Sequence, residues 1–481
     1  MSDDLIDLDA TGLAEVIASG EVSPLEAVEA TIERIDQVDD QLNAVIHRMD
    51  DKARAEASSV DLPDGPFRGV PMLLKDLWPS SAGDPFHLGV KGLAGADYHH
   101  SSDSNITTAY RRAGFVIAGR TNTPELGLVA TTEPEAYGPT RNPWNTDHGP
   151  GGSSGGAAAA VASGMVPAAN ASDGGGSIRI PAALCGLVGL KPSRGRISMG
   201  PLQEEWGLSV QHVVCHTVRD CAGILDATAY PFPGDGVVAP RPGRPYVDEV
   251  GAPADELRIG LLDHALTGDT HADCTRAARE VGETLAALGH HVEISHPEAM
   301  DRTEELTGSF IALWAAGART SLNTIGAMLG REVTADDVEA GTWTLAEMGA
   351  SFSGVDVMGA QAQAGQFRRV MAEWWADRFD LLLTPATAMP APPLGQLTPT
   401  ADDPMRGLYA SIPYATFTSP FTTTGQPAIS LPTHQSSDGL PVGVQLAAAY
   451  GREDLLLRVA AQLEQALPWA DRRPPVFASA P

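Results

Sequence analysis

The sequence has few of the residue types that mark several common protein classes. Only four of its 481 residues are cysteines, and without CxxC spacing they predict neither a disulfide framework nor a zinc site. Basic residues number 32 against 61 acidic ones, and the net charge of −29 argues against nucleic acid or an anionic membrane as partner. No run of about 18 apolar residues is present, so no membrane span is expected. The start of the chain has no signal-peptide pattern, and a cytoplasmic location is therefore the expectation.

The absence of phosphate-binding motifs and of a nearby histidine limits the reactions that the glycine-rich part of the chain can be expected to carry out. Neither the P-loop pattern nor the strand–Gly-x-Gly-x-x-Gly–helix pattern occurs, so the many glycines do not predict a phosphate site. No histidine lies between His148 and His212, which is the part of the chain where glycine is densest. A serine nucleophile in this part would therefore need a base other than a histidine close in sequence.

Glycine and serine are concentrated in two short runs, Gly-Pro-Gly-Gly-Ser-Ser-Gly-Gly at 149–156 and Ser-Asp-Gly-Gly-Gly-Ser-Ile-Arg-Ile-Pro at 172–181. Clustered glycines are costly to order unless the backbone needs a positive φ or a close approach to a ligand. These loops are therefore predicted to present backbone N–H groups. Ser153 and Ser177 stand among them, and a serine beside free N–H groups suits acyl transfer, in which the hydroxyl attacks a carbonyl and the amides hold the oxyanion.

A lysine is the candidate base. Lys75 ends the segment Gly-Val-Pro-Met-Leu-Leu-Lys-Asp at 69–76, whose apolar residues predict a buried strand. Burial disfavours the ammonium form of lysine and lowers its pKa, so Lys75 could be held neutral and accept a proton.

Four segments in this order resemble the amidase-signature family of serine hydrolases: 69–76, 151–156, 173–181 and Cys-Gly-Leu-Val-Gly-Leu-Lys-Pro at 185–192. The resemblance implies an α/β fold with a mixed β-sheet core covered by helices. It also implies a triad of Ser177 as nucleophile, Ser153 as bridging serine after a cis peptide bond, and Lys75 as base. No metal and no organic cofactor is implied.

Three glycines complete the candidate site. Gly174, Gly175 and Gly176, with the N–H of Ser177, are the predicted oxyanion-hole donors. The chain departs from the family pattern at Gly174, where the family usually has Thr or Ile, and at 171–172, where Ala-Ser replaces Gly-Thr.

The charged and polar neighbours of these glycines leave alternatives open. Asp173 and Arg179 could be catalytic ions, but we interpret them, like Ser154, as support for the loops. Leu126, Leu128 and Tyr137 are candidate pocket walls, with ordinary core packing as the alternative. Four tryptophans occur in 300–375, and the sequence singles out none of them as a substrate contact.

The chain is predicted to be a single domain over 1–481. It comprises a helical region at 1–60, a signature core at 66–200, a Pro- and Gly-rich connection at 231–255, and a helical region at 300–375 that covers the active site and sets substrate choice. Further predicted elements are a strand–helix–strand unit over 257–294, a strand pair at 421–431 and 441–446, and a closing helix over 453–466.

The expected activity is hydrolysis of C–N amide bonds in small molecules through an acyl-enzyme. Segments 132–145, 436–445 and 449–457 resemble the 6-aminohexanoate cyclic-dimer hydrolase branch of the family, which suggests cyclic or linear 6-aminohexanoate-type amides. The alternatives are a general amidase for aryl amides or carbamates, a glutaminase subunit of a transfer-RNA amidotransferase, and a non-catalytic binding protein with the same fold. Family members are often dimers, so a homodimer is a possible assembly.

Overall fold

The computed structural model describes residues 5–205, 207–400 and 402–479. The strands are β1 Val45–Arg48, β2 Pro71–Lys75, β3 Val116–Thr121, β4 Ala168–Asp173, β5 Val188–Lys191, β6 Val210–Cys215, β7 Arg258–Leu261, β8 His291–Ile294, β9 Leu381–Pro385, β10 Ala428–Gln435 and β11 Pro441–Ala448. The helices are α1 Ala10–Ser19, α2 Pro24–Leu42, α3 Asp50–Ala57, α4 Lys91–Gly95, α5 Asn105–Arg112, α6 Gly155–Ala162, α7 Arg179–Cys185, α8 Val218–Thr228, α9 Ala272–Ala287, α10 Thr303–Leu329, α11 Ala340–Ser351, α12 Gly354–Asp377, α13 Arg406–Ala410, α14 Ile412–Ala415, α15 Ser419–Thr424 and α16 Glu453–Ala466.

The strands of the described residues form one mixed sheet in the order β1-β3-β2-β4-β6-β5-β10-β11-β9-β7-β8. Strand β2 runs parallel to β3 and β4, the central strands pair antiparallel, and β7 is parallel to both β8 and β9. Helices pack on both faces, as two large clusters of buried apolar residues indicate. The predicted α/β fold with a mixed sheet is thereby confirmed.

Strand β2 carries Lys75 at its carboxyl end. All five of its residues are buried, and successive side chains enter different clusters, with Met72 and Leu74 on one face and Leu73 on the other. A strand that is covered on both faces has a continuous run of apolar residues in its sequence. For this reason a buried strand could be predicted within 69–76. The carboxyl end of a strand in such a sheet is a common place for a functional group.

The N-terminal region contains the expected helices and one strand that the sequence did not predict. Helix α2 begins with a capping box, in which Ser23 and Glu26 exchange hydrogen bonds and Pro24 occupies the first helical position. Strand β1 pairs antiparallel with β3. It is only four residues long and partly exposed, so it gave no periodic signal.

The second half of the chain follows most of the predicted elements. Strand β7, helix α9 and parallel strand β8 form the expected unit, and α16 spans the predicted residues 453–466. The prediction of a strand starting at Phe421 was wrong, because α15 occupies Ser419–Thr424. The threonines favour a strand by propensity, but Pro420 opens the helix and Gly425, with φ +77°, ends it.

The region 300–375 is helical, as predicted, and consists mainly of α10, α11 and α12. Trp374 stacks on Phe379 with 4.2 Å between the ring centroids, and Trp375 lies beside it in a buried cluster with Phe421. In the described part of the chain no helix is both long and apolar enough to span a membrane.

Candidate active site

The amine of Lys75 lies among three serine hydroxyls. Its Nζ lies within hydrogen-bond distance of Ser153 Oγ at 2.7 Å, Ser154 Oγ at 2.9 Å and Ser172 Oγ at 3.1 Å. The side chain is fully buried, and burial lowers its pKa well below the ordinary lysine value although the negative charge of Asp173 opposes the shift. A neutral amine surrounded by hydroxyls can accept a proton from one of them.

Ser153 is held by a tightly packed turn at the start of α6. The Gly152–Ser153 peptide bond is cis, as the resemblance implied. A Cβ on Gly152 would come within 2.3 Å of the Thr131 carbonyl oxygen, so no larger residue fits there without movement of the backbone. The glycines of this run therefore allow a close approach between two loops, and this approach fixes Ser153 over the Lys75 amine.

Ser177 lies at the end of the glycine loop, two residues before α7 begins, and it lines an apolar pocket. It is 9% exposed, compared with 2% for Ser153. Within the described residues no hydrogen bond joins the Ser153 and Ser177 hydroxyls, so proton transfer between them would require a hydroxyl to rotate or the loop to shift. Of the three candidate triad residues, Ser177 is the one that faces the space available to a ligand.

Asp173 and Arg179 lie at the two ends of the glycine loop and form a buried ion pair with each other. Arg179 Nε and Nη2 donate to the two carboxylate oxygens of Asp173, each at 2.9 Å, and Nη1 donates to Gln445 Oε1 at 2.7 Å. Burial is the largest single effect and would raise the pKa of Asp173, but the charge and hydrogen bonds of Arg179, together with the charge of Lys191, outweigh it and the pKa is lowered. The pair ties the loop to α7 and β11 rather than facing the pocket, which agrees with the interpretation of both residues as loop support.

The candidate oxyanion glycines do not all occupy equivalent positions. Gly175 and Gly176 line the pocket beside Ser177, whereas Gly174 is not among the lining residues. A Cβ on Gly174 would contact the Trp314 ring at 3.0 Å. Of the three predicted glycines, Gly175 and Gly176 are therefore the ones that border the space available to a ligand.

The pocket beside Ser177 is large and mostly apolar. Its volume is about 1150 Å³, counting the part open to solvent. The described lining residues include no Asp, Glu, Lys, Arg or His, and their polar side chains are hydroxyls. An ion without a partner would lose its hydration here, so the pocket suits a neutral ligand of mixed polar and apolar surface.

Pocket walls come from parts of the chain that are distant in sequence. Of the three predicted walls, Leu128 lines the pocket, but Leu126 packs in a buried cluster and the Tyr137 hydroxyl bonds to His47 Nε2 at 3.2 Å. Other parts of the wall are formed by α10, including Phe310 and Trp314, and by 408–420.

The sequence did not identify the roles of Ser154 and Ser172. Ser154 was interpreted as loop structure and Ser172 only as a departure from the family pattern, yet both hydroxyls contact Lys75. Ser172 lies on β4, and β4 pairs with β2, which ends at Lys75. That pairing could not be read from spacing along the chain.

A methyl group at position 176 should impair the reaction without unfolding the protein. Gly176 has φ +149°, a value that side-chain-bearing residues rarely adopt, and a Cβ there would lie 2.3 Å from Thr418 Oγ1. We expect Gly176→Ala to lower kcat about 100-fold, since displaced donors no longer reach the oxyanion. Steady-state kinetics and circular dichroism would measure the two effects.

Gly395→Ala is the matched control, because Gly395 also has a positive φ, +80°, but a Cβ added there would meet nothing within 4 Å, and the residue has no part in the pocket. Its kcat should stay within about threefold of the unmodified protein. Equal losses in the two variants would show that backbone strain, and not the position of the loop donors, causes the effect.

No group of three or more His, Cys, Asp or Glu side chains that could hold a metal ion occurs in the described ranges 5–205, 207–400 and 402–479.

Comparisons with known proteins agree with one another. The Amidase family matches residues 26–457. Two proteins named 6-aminohexanoate-cyclic-dimer hydrolase, from Paenarthrobacter ureafaciens and Pseudomonas sp. (strain NK87), are 44% and 42% identical to this chain, each over 97% of it and 96% of the relative. A solved structure of 6-aminohexanoate cyclic dimer hydrolase is 42% identical, with a TM-score of 0.94 over 98% of this chain and 99% of that one. A bacterial aryl acylamidase is 27% identical, with a TM-score of 0.87 over 96% and 97%.

Proposed function

The chain belongs to the Amidase family and is an amide-cleaving hydrolase, and from this premise we propose that it opens neutral cyclic amides of the 6-aminohexanoate type. The observation that carries the substrate class is the pocket beside Ser177, whose described lining has hydroxyls and apolar groups but no charged side chain. A cyclic dimer of an amino acid has no free ammonium or carboxylate, so it can enter such a pocket without losing the hydration of an ion. The similarity to hydrolases named for this substrate supports the same assignment.

We propose that the reaction uses Lys75, Ser153 and Ser177 in sequence. The neutral Lys75 amine accepts the proton of Ser153, Ser153 accepts the proton of Ser177, and Ser177 Oγ attacks the amide carbonyl carbon. The carbonyl oxygen becomes an oxyanion that the loop N–H groups of 175–177 can hold. As the C–N bond breaks, the proton returns through Ser153 to the leaving nitrogen, which departs as an amine.

Water then completes the cycle. A water molecule gives a proton to the Ser153–Lys75 pair and attacks the ester carbonyl of the acyl-enzyme, which releases the carboxylic acid and restores the Ser177 hydroxyl. This scheme is supported by the 2.7 Å contact between Lys75 and Ser153 and by the lowered pKa of Lys75.

An aryl amidase is the second candidate. The aromatic wall formed by Phe310 and Trp314, whose rings stack with centroids 5.3 Å apart, favours it because flat apolar rings pack well against such a pair. The structural similarity to a bacterial aryl acylamidase points the same way at lower sequence identity.

A direct assay separates the two candidates. The purified protein is incubated with the cyclic dimer of 6-aminohexanoate, and free primary amine is measured against time with a Ser177→Ala control. Release of amine that depends on Ser177 is the expected result. If the cyclic dimer stays intact while an anilide such as a nitroacetanilide is cleaved, the cyclic-amide assignment is wrong and the aryl amidase assignment replaces it.

A further inference from the structure

A narrow second recess adjoins the pocket of Ser177. The two share three apolar wall residues, Leu128, Val129 and Leu408, so the recess lies directly behind one wall of the pocket. Unlike the pocket, it is lined by two carboxyl groups, those of Glu125 and Glu339. The recess is therefore an acidic compartment beside a neutral one.

Glu125 is 2% exposed and only partly satisfied. Its Oε2 accepts a hydrogen bond from the Glu339 backbone N–H at 2.7 Å, just before the start of α11. Its Oε1 is buried and has no hydrogen-bond partner among the described residues. The Thr342 hydroxyl, which also lines the recess, lies close enough to lower the pKa of Glu125 but not within hydrogen-bond distance of Oε1, so this buried oxygen can still accept a hydrogen bond from a ligand.

The charge around the recess favours a cation. Burial, and then the neighbouring charge of Glu339, raises the pKa of Glu125 to about 8, while burial raises the pKa of Glu339 to about 7. Lys91 is the nearby cation whose charge opposes both shifts, but its Nζ binds Glu135 Oε2 at 3.1 Å, and Glu135 is largely exposed. A positive group inside the recess would lower both pKa values and satisfy the free oxygen.

The recess is also close to the reacting groups. Glu125 and Gly127 are the two ends of one 3-10 turn, and a Cβ on Gly127 would lie 3.0 Å from Ser153 Oγ. Because Leu128 lines both spaces, a flexible acyl chain that enters the pocket at Ser177 can continue past Leu128 towards Glu125.

We propose that this recess binds the primary ammonium group of an ω-amino acyl chain whose carbonyl reacts at Ser177. The inference rests on the proposed function for the identity of the chain, because opening a cyclic amide frees an amine that the neutral pocket cannot stabilise once it is protonated. The carboxylate of Glu125 accepts a hydrogen bond from the ammonium group, which keeps its proton, and the shared apolar wall contacts the methylenes.

Binding of n-hexylammonium and of 1-hexanol, measured separately by isothermal titration calorimetry at pH 8.5, tests this assignment. The two probes have the same chain length and differ in charge. The unmodified protein should bind hexylammonium one-to-one and at least about tenfold more tightly than hexanol, as expected for a charge-assisted hydrogen bond. In Glu125→Gln, whose amide oxygen can still accept from the Glu339 N–H, this preference should fall to less than about threefold.

Glu135→Gln is the matched control, because it removes an equal charge outside the recess and should keep the tenfold preference. If Glu125→Gln does not fold, Glu339→Gln provides the same comparison. The assignment is overturned if the unmodified protein shows no preference or if the preference survives in the recess variants. The titration does not depend on turnover, so a retained preference without any amide hydrolysis would contradict the proposed function alone.

Discussion

Replacing Ser177 by alanine is expected to lower kcat for amide hydrolysis by about 10⁴-fold or more, because removal of a nucleophile abolishes the acyl-enzyme route. The pocket should be unchanged, since Ser177 is mostly buried at the loop end and alanine fits its space. Binding of the substrate should therefore persist in this variant. Kinetics, together with calorimetric titration of the uncleaved substrate, would separate the loss of chemistry from a loss of binding.

Ser419→Ala is the matched control for this variant. Ser419 also contributes to the lining of the pocket, but it belongs to α15 and does not follow the glycine loop. Its kcat should change by less than about tenfold. A sulfonyl fluoride should modify the unmodified protein and the Ser419 variant at one site but leave the Ser177 variant unmodified, as mass spectrometry would show. Modification of the Ser177 variant, or full activity in it, would refute the assignment of the nucleophile.

Replacing Lys75 by methionine is expected to lower kcat/KM by about 10³-fold or more, because the chain loses its base while keeping an unbranched side chain of similar length. In the proposed mechanism the base is the neutral Lys75 amine, and burial lowers the pKa of this group. Activity should therefore fall as the pH drops through that lowered pKa, since protonated Lys75 cannot accept a proton. The methionine variant should not show this fall of activity at low pH, which is called the acid limb of the profile. Measurement of kcat/KM against pH would test this.

Lys191→Met provides a matched control for the lysine. Lys191 is likewise fully buried, and burial lowers its pKa as well, but its Nζ donates to the Pro192 carbonyl oxygen at 2.9 Å rather than to a serine. This variant should retain the acid limb and most of the rate. If both variants lose activity equally and unfold at the same lower temperature, the effect of Lys75 is structural and its assignment as base fails.

Much of the candidate site could be predicted because its residues lie in short segments of unusual amino-acid composition. Glycine and serine runs mark loops that approach a ligand closely, and an apolar strand ending in lysine marks a buried amine. Local sequence patterns also predicted the buried strand that ends at Lys75 and the closing helix α16.

What the sequence could not provide were contacts between distant segments. Ser172 reaches Lys75 because β4 lies beside β2, and Phe310 and Trp314 reach the pocket because α10 folds across it. Neither of these contacts between distant segments is indicated by hydrophobic periodicity in the sequence. Tyr137 was misplaced for the same reason, since its hydroxyl partner His47 comes from β1, the strand that the sequence did not predict.

The origin of the pocket walls has a consequence for how this enzyme could change over generations. The lysine and serines of the candidate site all come from 75–177, whereas much of the wall comes from 300–314 and 408–420. Substitutions in the second group can reshape the pocket without moving the first, so selectivity and bond-breaking chemistry can vary independently. A directed-evolution library confined to 300–314 and 408–420 should therefore yield new substrate preferences at little cost in turnover, whereas one spread over 149–177 should mostly yield inactive clones.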